Sequence, residues 1–387
     1  MPKALDGGQR RSGHRAWNTP ADFAVALLVG FTAAAIVAQA WVTLAPARSD
    51  AMLAVRSDPF DVAAVRDLGL AREAAGDRVA ADRLMDLAGR LSWRDAPTQM
   101  WLFRRDLAHR DMVHALDHAD AALRQASDDA ARRPILESLA MAATDPAAAP
   151  LLAQRLAGVP AWRTNVLFEL GRRDQTLGVA RSVLVALRAG PTPPLDVEVA
   201  HYVQSLVGRG RFVQAFADWR LLSSSPEREQ ALIRDGDFQR PGDGGPFSWS
   251  LGAGAEIGRP PLAGGEMALH AGLADVGDAV MAEQLLVLAP GRYRLDWRAL
   301  ADRGGLAAPP RWSAECAATG APIAREAGGA LAADAWQARG MLLDVPNGEC
   351  AALWLRLRGV PEDRGGAPSA WFTRMRLAPV AVESGAP

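Results

Sequence analysis

The chain has 387 residues, 49% of them hydrophobic, so there is material for more than one buried core. Lys and Arg number 43 against 44 Asp and Glu, a net charge of -1, which gives no electrostatic reason to expect a nucleic-acid partner. Lys3 is the sole lysine, a skew that with the abundant Ala and Gly reads as base composition rather than function.

The first predicted element is the uncharged run Phe23 to Ala47, FAVALLVGFTAAAIVAQAWVTLAPA. Roughly 20 apolar residues suffice to span a bilayer as a helix. The segment 1–20 before it carries Lys3, Arg10, Arg11, His14 and Arg15. A basic tail, a span over 21–47 and a long body predict a single-pass inner-membrane protein of a bacterium, N-terminus cytoplasmic and C-terminal domains periplasmic. A second reading stands beside it: Ala38-Gln39-Ala40 has the small-x-small form of a signal-peptide cleavage site.

From 50 to 234 the apolar period is helical. Val62, Val65, Leu68 and Leu70 share one helix, Gly76-Asp77 makes a turn, and Ala81, Leu84, Met85, Ala88 and Leu91 line the next. The small residues recur 34 positions on, Ala81 as Ala115 and Ala88 as Ala122. A further unit near the end shows Gly210, Phe212, Ala215 and Trp219. Carried by Leu68-Gly69, Gly76, Ala81, Ala88, Leu102, Ala115, Ala122, Gly210, Ala215 and Trp219, the segment from about 58 to 230 resembles tetratricopeptide repeats. The resemblance implies an α-helical solenoid with a protein-binding groove, small residues at close helix contacts, and Met85 and Trp219 filling the gap to the next unit. An irregular helical bundle is the alternative. In DLAHRDMVHALDH, His114 and His118 stand i, i+4, a spacing compatible with zinc, with His109 and Asp111 nearby. Without an HExxH form or a neighbouring cysteine, they read as a solvated helix face and no metal is expected.

From 235 to 382 the period becomes two, and Gly and Pro turns multiply. Tyr293, Leu295 and Trp297 alternate with Arg294, Asp296 and Arg298. Leu353, Leu355 and Leu357 alternate with Trp354, Arg356 and Arg358. Trp371, Thr373, Met375 and Leu377 alternate with Phe372, Arg374 and Arg376. This predicts an antiparallel β-sandwich in which Trp297 and Trp371 are core residues. The order DGDFQRP, PFSWSL, EQLLVLAPGRYRLDWRA and AWFTRMRLAP resembles carbohydrate-binding modules of the galactose-binding jelly-roll type. Thr373 and Arg374 stand where related modules often hold a calcium-binding acid, so no calcium is carried over.

The two cysteines, Cys316 and Cys350, both fall in this β domain, and either a disulfide or two buried thiols is compatible with the sequence. A disulfide would bring Trp312 near Trp354, and these two are the candidates for stacking on a glycan. There is no GxSxG elbow, P-loop or CxxC. Glu283, Glu315, Asp296 and Asp344 read as scattered surface carboxylates, and no cofactor is expected. The expected architecture is therefore one transmembrane helix, a helical repeat solenoid and a C-terminal jelly-roll sandwich. The two resemblances imply a non-enzymatic adaptor: the repeats bind other envelope proteins, the jelly-roll binds polysaccharide, and the setting is exopolysaccharide assembly or export. A glycan-active enzyme with a targeting module and a structural envelope protein without sugar binding are the alternatives.

Overall fold

The computed structural model of the chain describes residues 47–224, 231–240, 242–260, 266–272, 279–302, 305–333, 335–348, 350–359 and 369–380. The expected membrane span is corrected here. Among the described residues no helix is long and apolar enough to cross a membrane. The run Phe23 to Pro46 and the basic tail lie outside the described residues. Ala47 itself opens a short charged helix, α1 (Ala47–Ser57), with Arg48, Asp50 and Arg56. The transmembrane helix, the single-span membrane attachment and the inner-membrane, periplasm-facing placement derived from it lose their footing.

Among the described residues ten further helices follow: α2 (Val62–Ala74), α3 (Arg78–Leu91), α4 (Ala96–Ala108), α5 (Met112–Gln125), α6 (Asp129–Ala142), α7 (Ala148–Ala157), α8 (Arg163–Arg172), α9 (Asp174–Ala189), α10 (Asp196–Val207) and α11 (Phe212–Leu222). Several of the earlier starts are set by aspartates. The side chains of Asp61, Asp77, Asp95 and Asp128 accept hydrogen bonds from the first free N–H groups of α2, α3, α4 and α6. Two compact units result, and the division falls within the helices, around and through α5.

In the first unit α1 packs on α2, α2 on α3 and α3 on α4. Gly76 takes φ +81° at the α2–α3 turn. Gly69 lets α3 approach closely, since a Cβ there would lie 2.8 Å from the Met85 sulfur. Ala81 and Ala88 are buried, as are Ala115 and Ala122 along α5. In the second unit α9 packs on α7 and α8, and α10 on α8 and α11. The proline-rich loop before α10 is pinned by a buried ion pair: Arg163 donates to Glu198 at 2.9 Å and to the carbonyl of Pro193 at 2.9 Å. Gly210, at φ +72°, turns the chain into α11, where Ala215 and Trp219 are buried.

Among its described residues the second unit also holds ten strands: β1 (Ser250–Leu251), β2 (Ala255–Gly258), β3 (Ala268–Gly272), β4 (Val280–Leu286), β5 (Gly291–Ala301), β6 (Arg311–Cys316), β7 (Pro322–Arg325), β8 (Gln337–Val345), β9 (Leu353–Arg358) and β10 (Ser369–Pro379). They form two five-stranded antiparallel sheets, ordered β1-β4-β9-β6-β7 and β2-β3-β10-β5-β8. Alternation along β5 sends Tyr293, Leu295 and Trp297 into the core and Arg294, Asp296 and Arg298 outward. The core between the sheets gathers Phe238, Leu295, Trp297, Trp312, Leu355, Phe372 and Met375.

One strand departs from its expected register. A bulge between Thr373 and Arg376 of β10, with Arg374 at φ +55°, reverses which side chains face inward. Before the bulge Phe372 points into the main core. Trp371 belongs to a separate cluster with Ala268 and Leu300, stacked on His270 at 4.3 Å and donating from Nε1 to Asp302 at 3.0 Å.

Candidate functional site

β9 is the middle strand of the first sheet, so its outward residues occupy the centre of that sheet's outer face. Leu353, Leu355 and Leu357 are fully buried, and this fixes Trp354, Arg356 and Arg358 on the opposite side. Trp354 is half-buried, and the Arg356 guanidinium lies 5.3 Å from its ring centroid, a cation–π distance that holds the indole in place. Arg356 bridges neighbouring strands, donating at 2.9 Å to Glu283 of β4 and at 2.8 Å to Glu315 of β6. Arg358 donates to the same Glu315 at 3.0 Å. Glu283 and Glu315, read from sequence as scattered, are thus brought together by the two arginines of β9. Asp296 and Asp344 pair with Arg294 and Arg292 instead.

Burial alone would raise the Glu315 carboxyl, but the bonds from Arg356 and Arg358 outweigh it and hold it below the usual carboxylate range. The unfolded chain binds this proton more tightly than the folded one. The pair's contribution to stability is therefore complete above the ordinary value of 4.5 and declines as pH falls below it. The melting-temperature gap between the wild type and Glu315→Gln is expected to narrow on acidification through that range. A gap that stays constant from pH 7 to pH 3 would show that the ion pairs do not stabilise this face.

The other glycan-stacking candidate, Trp312, is corrected. It is fully buried, 5.6 Å from the Trp249 ring and edge-on to Phe372 at 5.9 Å, so it is a core residue with no face to offer a sugar. In the β6–β9 ladder Trp312 stands opposite Leu357, and Glu315 stands opposite Trp354. The two tryptophans lie on opposite sides of one sheet. A disulfide joins Cys316 to Cys350, their Cα atoms 5.5 Å apart. Cys350 precedes β9 and so escapes the alternation that would have turned it outward. Of the histidines, His114 Nδ1 lies 2.7 Å from Asp111, whereas His118 stacks on Trp93 and meets the Gln99 side chain at 2.6 Å. Among the described residues no three His, Cys, Asp or Glu side chains could share a metal ion.

The small residues assigned to repeat packing are placed as described above, whereas Trp219 packs on the segment beyond the helices. Its ring lies under the Arg234 guanidinium at 3.7 Å and its Nε1 donates to Asp243 at 3.2 Å, both in the segment that leads into the sandwich.

No family model and no curated protein matches the chain. Solved structures similar to part of it include carbohydrate-binding modules. A family 4 module is 17% identical, with 38% of this chain and 99% of that one covered at a TM-score of 0.30. A family 61 module in complex with β-1,4-galactotriose is 14% identical, covering 39% and 100% at 0.26. The first family 22 xylan-binding domain of Xyn10C from Paenibacillus barcinonensis is 11% identical, covering 35% and 86% at 0.28. Similarity at this level says nothing about which ligand this chain takes.

Proposed function

We propose that the chain is a non-catalytic glycan-binding adaptor, with carbohydrate held on the outer face of the first sheet around Trp354 and the helices serving as a tetratricopeptide-like scaffold for protein partners. The observation that carries the reading is Trp354 itself: an aromatic ring on the outer face of a central strand, fixed by Arg356 and bordered by ion-paired polar side chains. An apolar ring face beside fixed polar groups suits a sugar, which presents C–H on one side and hydroxyls at its rim. The carboxylates support binding over hydrolysis. Glu315, the carboxylate opposite Trp354 in the ladder, is held below the ordinary range by two arginines, which suits a fixed acceptor rather than a general acid. For the helices, the supporting features are the buried Ala81, Ala88, Ala115 and Ala122, the left-handed Gly76 and Gly210 turns, and the Gly69 approach to Met85.

Trp354→Ala in the full chain is expected to weaken glycan binding by roughly tenfold or more, the scale of one lost stacking interaction. The melting temperature should stay close to that of the wild type, because the ring is only half-buried. Binding on a glycan array, read beside thermal unfolding, checks this. A folded wild-type chain that binds no glycan on the array overturns the reading.

A further inference from the structure

The face around Trp354 is not charge-balanced. Arg356 and Arg358 are matched by Glu283 and Glu315, but a third arginine, Arg311, opens β6 directly across from Arg358 in the ladder. Trp312, Ala314 and Cys316 point into the core, so Arg311 shares the outer face with Ser313 and Glu315. Like charges placed directly opposite across a ladder repel. Arg311 is also half-buried: its guanidinium lies against Gly328, where a Cβ would come within 2.9 Å of it. Its Nε is buried with no hydrogen-bond partner. Glu326 lies near enough to feel the charge of Arg311, but among the described residues no ion pair joins them. Burial pushes the Glu326 carboxyl up, and its acceptor bond is made to the N–H of Trp312.

A buried guanidinium Nε lacking an acceptor is costly to keep, and such an atom calls for a physical explanation. Position supplies one. Arg358 is four residues from Trp354 along β9, about 13 Å at the usual rise of a strand. Arg311, opposite Arg358, therefore marks the far end of a strip that begins at the indole.

We propose that this strip takes an acidic glycan, one whose sugar units carry carboxylates. One ring lies on Trp354 while a carboxylate further along the same glycan accepts hydrogen bonds from Arg311. The proposal rests on the glycan reading of Trp354 and adds the charge class. A guanidinium meets a carboxylate through two parallel N–H donors, which makes the acid the natural complement of this end of the strip.

The test measures binding of the full chain to polygalacturonate, alginate and hyaluronate, each beside its carboxyl-reduced neutral form. The wild type should prefer at least one acidic polymer over its neutral form by about tenfold at low salt. Added salt should narrow that gap. Arg311→Gln should remove the preference and leave neutral binding unchanged, and Arg311→Lys, which keeps the charge, should retain part of it. Trp354→Ala should weaken both forms. A wild type that binds acidic and neutral forms equally, or binds neutral glycans alone, overturns the proposal and leaves the Trp354 reading standing. A preference that survives Arg311→Gln also overturns it. A wild type that binds no glycan overturns both.

Discussion

Replacing Trp219 with Ala is expected to lower the unfolding free energy by about 3–5 kcal/mol, the range for emptying a buried aromatic site. Trp219 is 1% exposed, among the largest fully buried side chains of the chain. It sits on α11, yet its partners belong to the segment leading into the strands. Arg234 stacks on the ring at 3.7 Å, Asp243 accepts from Nε1 at 3.2 Å, and Phe247 lies 5.7 Å away. Each partner is itself tied down. Asp243 accepts from the Ser248 hydroxyl and from the N–H of Gly245 at 2.8 Å. The backbone of Arg234 is held on both sides by the fully buried Gln284 of β4, which accepts from its N–H at 2.9 Å and donates to its carbonyl at 3.0 Å. Trp219→Ala therefore leaves a cavity, an Arg234 face without its ring and an Asp243 oxygen without its donor. Trp219→Phe, which keeps most of the volume and loses the N–H, should cost about 1 kcal/mol. Urea titration followed by far-ultraviolet and near-ultraviolet dichroism checks both values. A Trp219→Ala midpoint indistinguishable from the wild type would mean that this junction does not hold α11 to the sandwich.

Trp219 also shows where the sequence can and cannot be read. Its size and spacing after Gly210 and Ala215 mark it as a large packing residue, and it is one. Local periodicity does not reveal the partner, because Arg234, Asp243 and Phe247 lie beyond the end of the helical pattern. The burial of Ala81, Ala88, Ala115 and Ala122 was legible for the opposite reason. A helix pair constrains both of its faces within a few turns, so a small residue repeated at fixed spacing reports a local contact. β5 and β9 were legible because three leucines, or a tyrosine, a leucine and a tryptophan, alternate with charges without interruption. β10 was not. Its sequence continues to alternate through Arg374, whereas the backbone inserts a bulge there, so Trp371, buried as expected, belongs to a cluster apart from the main core that holds Met375.

The site was half legible by the same logic. Trp354 follows from its own strand, whose alternation settles its face. Trp312 required a second step, the assumption that a disulfide between neighbouring strands brings their tryptophans to one surface. The ladder refutes that step: Trp312 shares parity with the inward Cys316, and Cys350 lies before β9 begins, so the bond carries no information about the face of Trp354. The gathering of Glu283 and Glu315 around Arg356 depends on strand order, β4-β9-β6, which no pattern within a strand encodes.

Opening the disulfide is expected to cost about 3–4 kcal/mol. Cys316 and Cys350 are 34 residues apart, and closing a loop of that length removes conformational freedom from the unfolded chain in the chain-entropy picture. Both cysteines are buried, at 3% and 5% exposure, and their Cα separation of 5.5 Å falls within the usual span for the bond. The bond ties the end of β6 to the segment that enters β9, the two strands whose outer residues make the Trp354 face. The double substitution Cys316→Ala with Cys350→Ala should lower the melting temperature, and a reducing agent should lower that of the wild type to a similar value while leaving the variant unmoved. Peptide mass spectrometry without reduction should recover the two cysteines cross-linked. The β6–β9 ladder pairs Trp312 with Leu357, Ala314 with Leu355 and Cys316 with Leu353 along its whole length, so the folded variant should keep the Trp354 face, and the glycan affinity proposed for it, at temperatures well below its own melting point. Two thiols that alkylate freely in the folded wild type would remove the bond, and a double variant as stable as the wild type would show that β6 and β9 are held in register by the ladder alone.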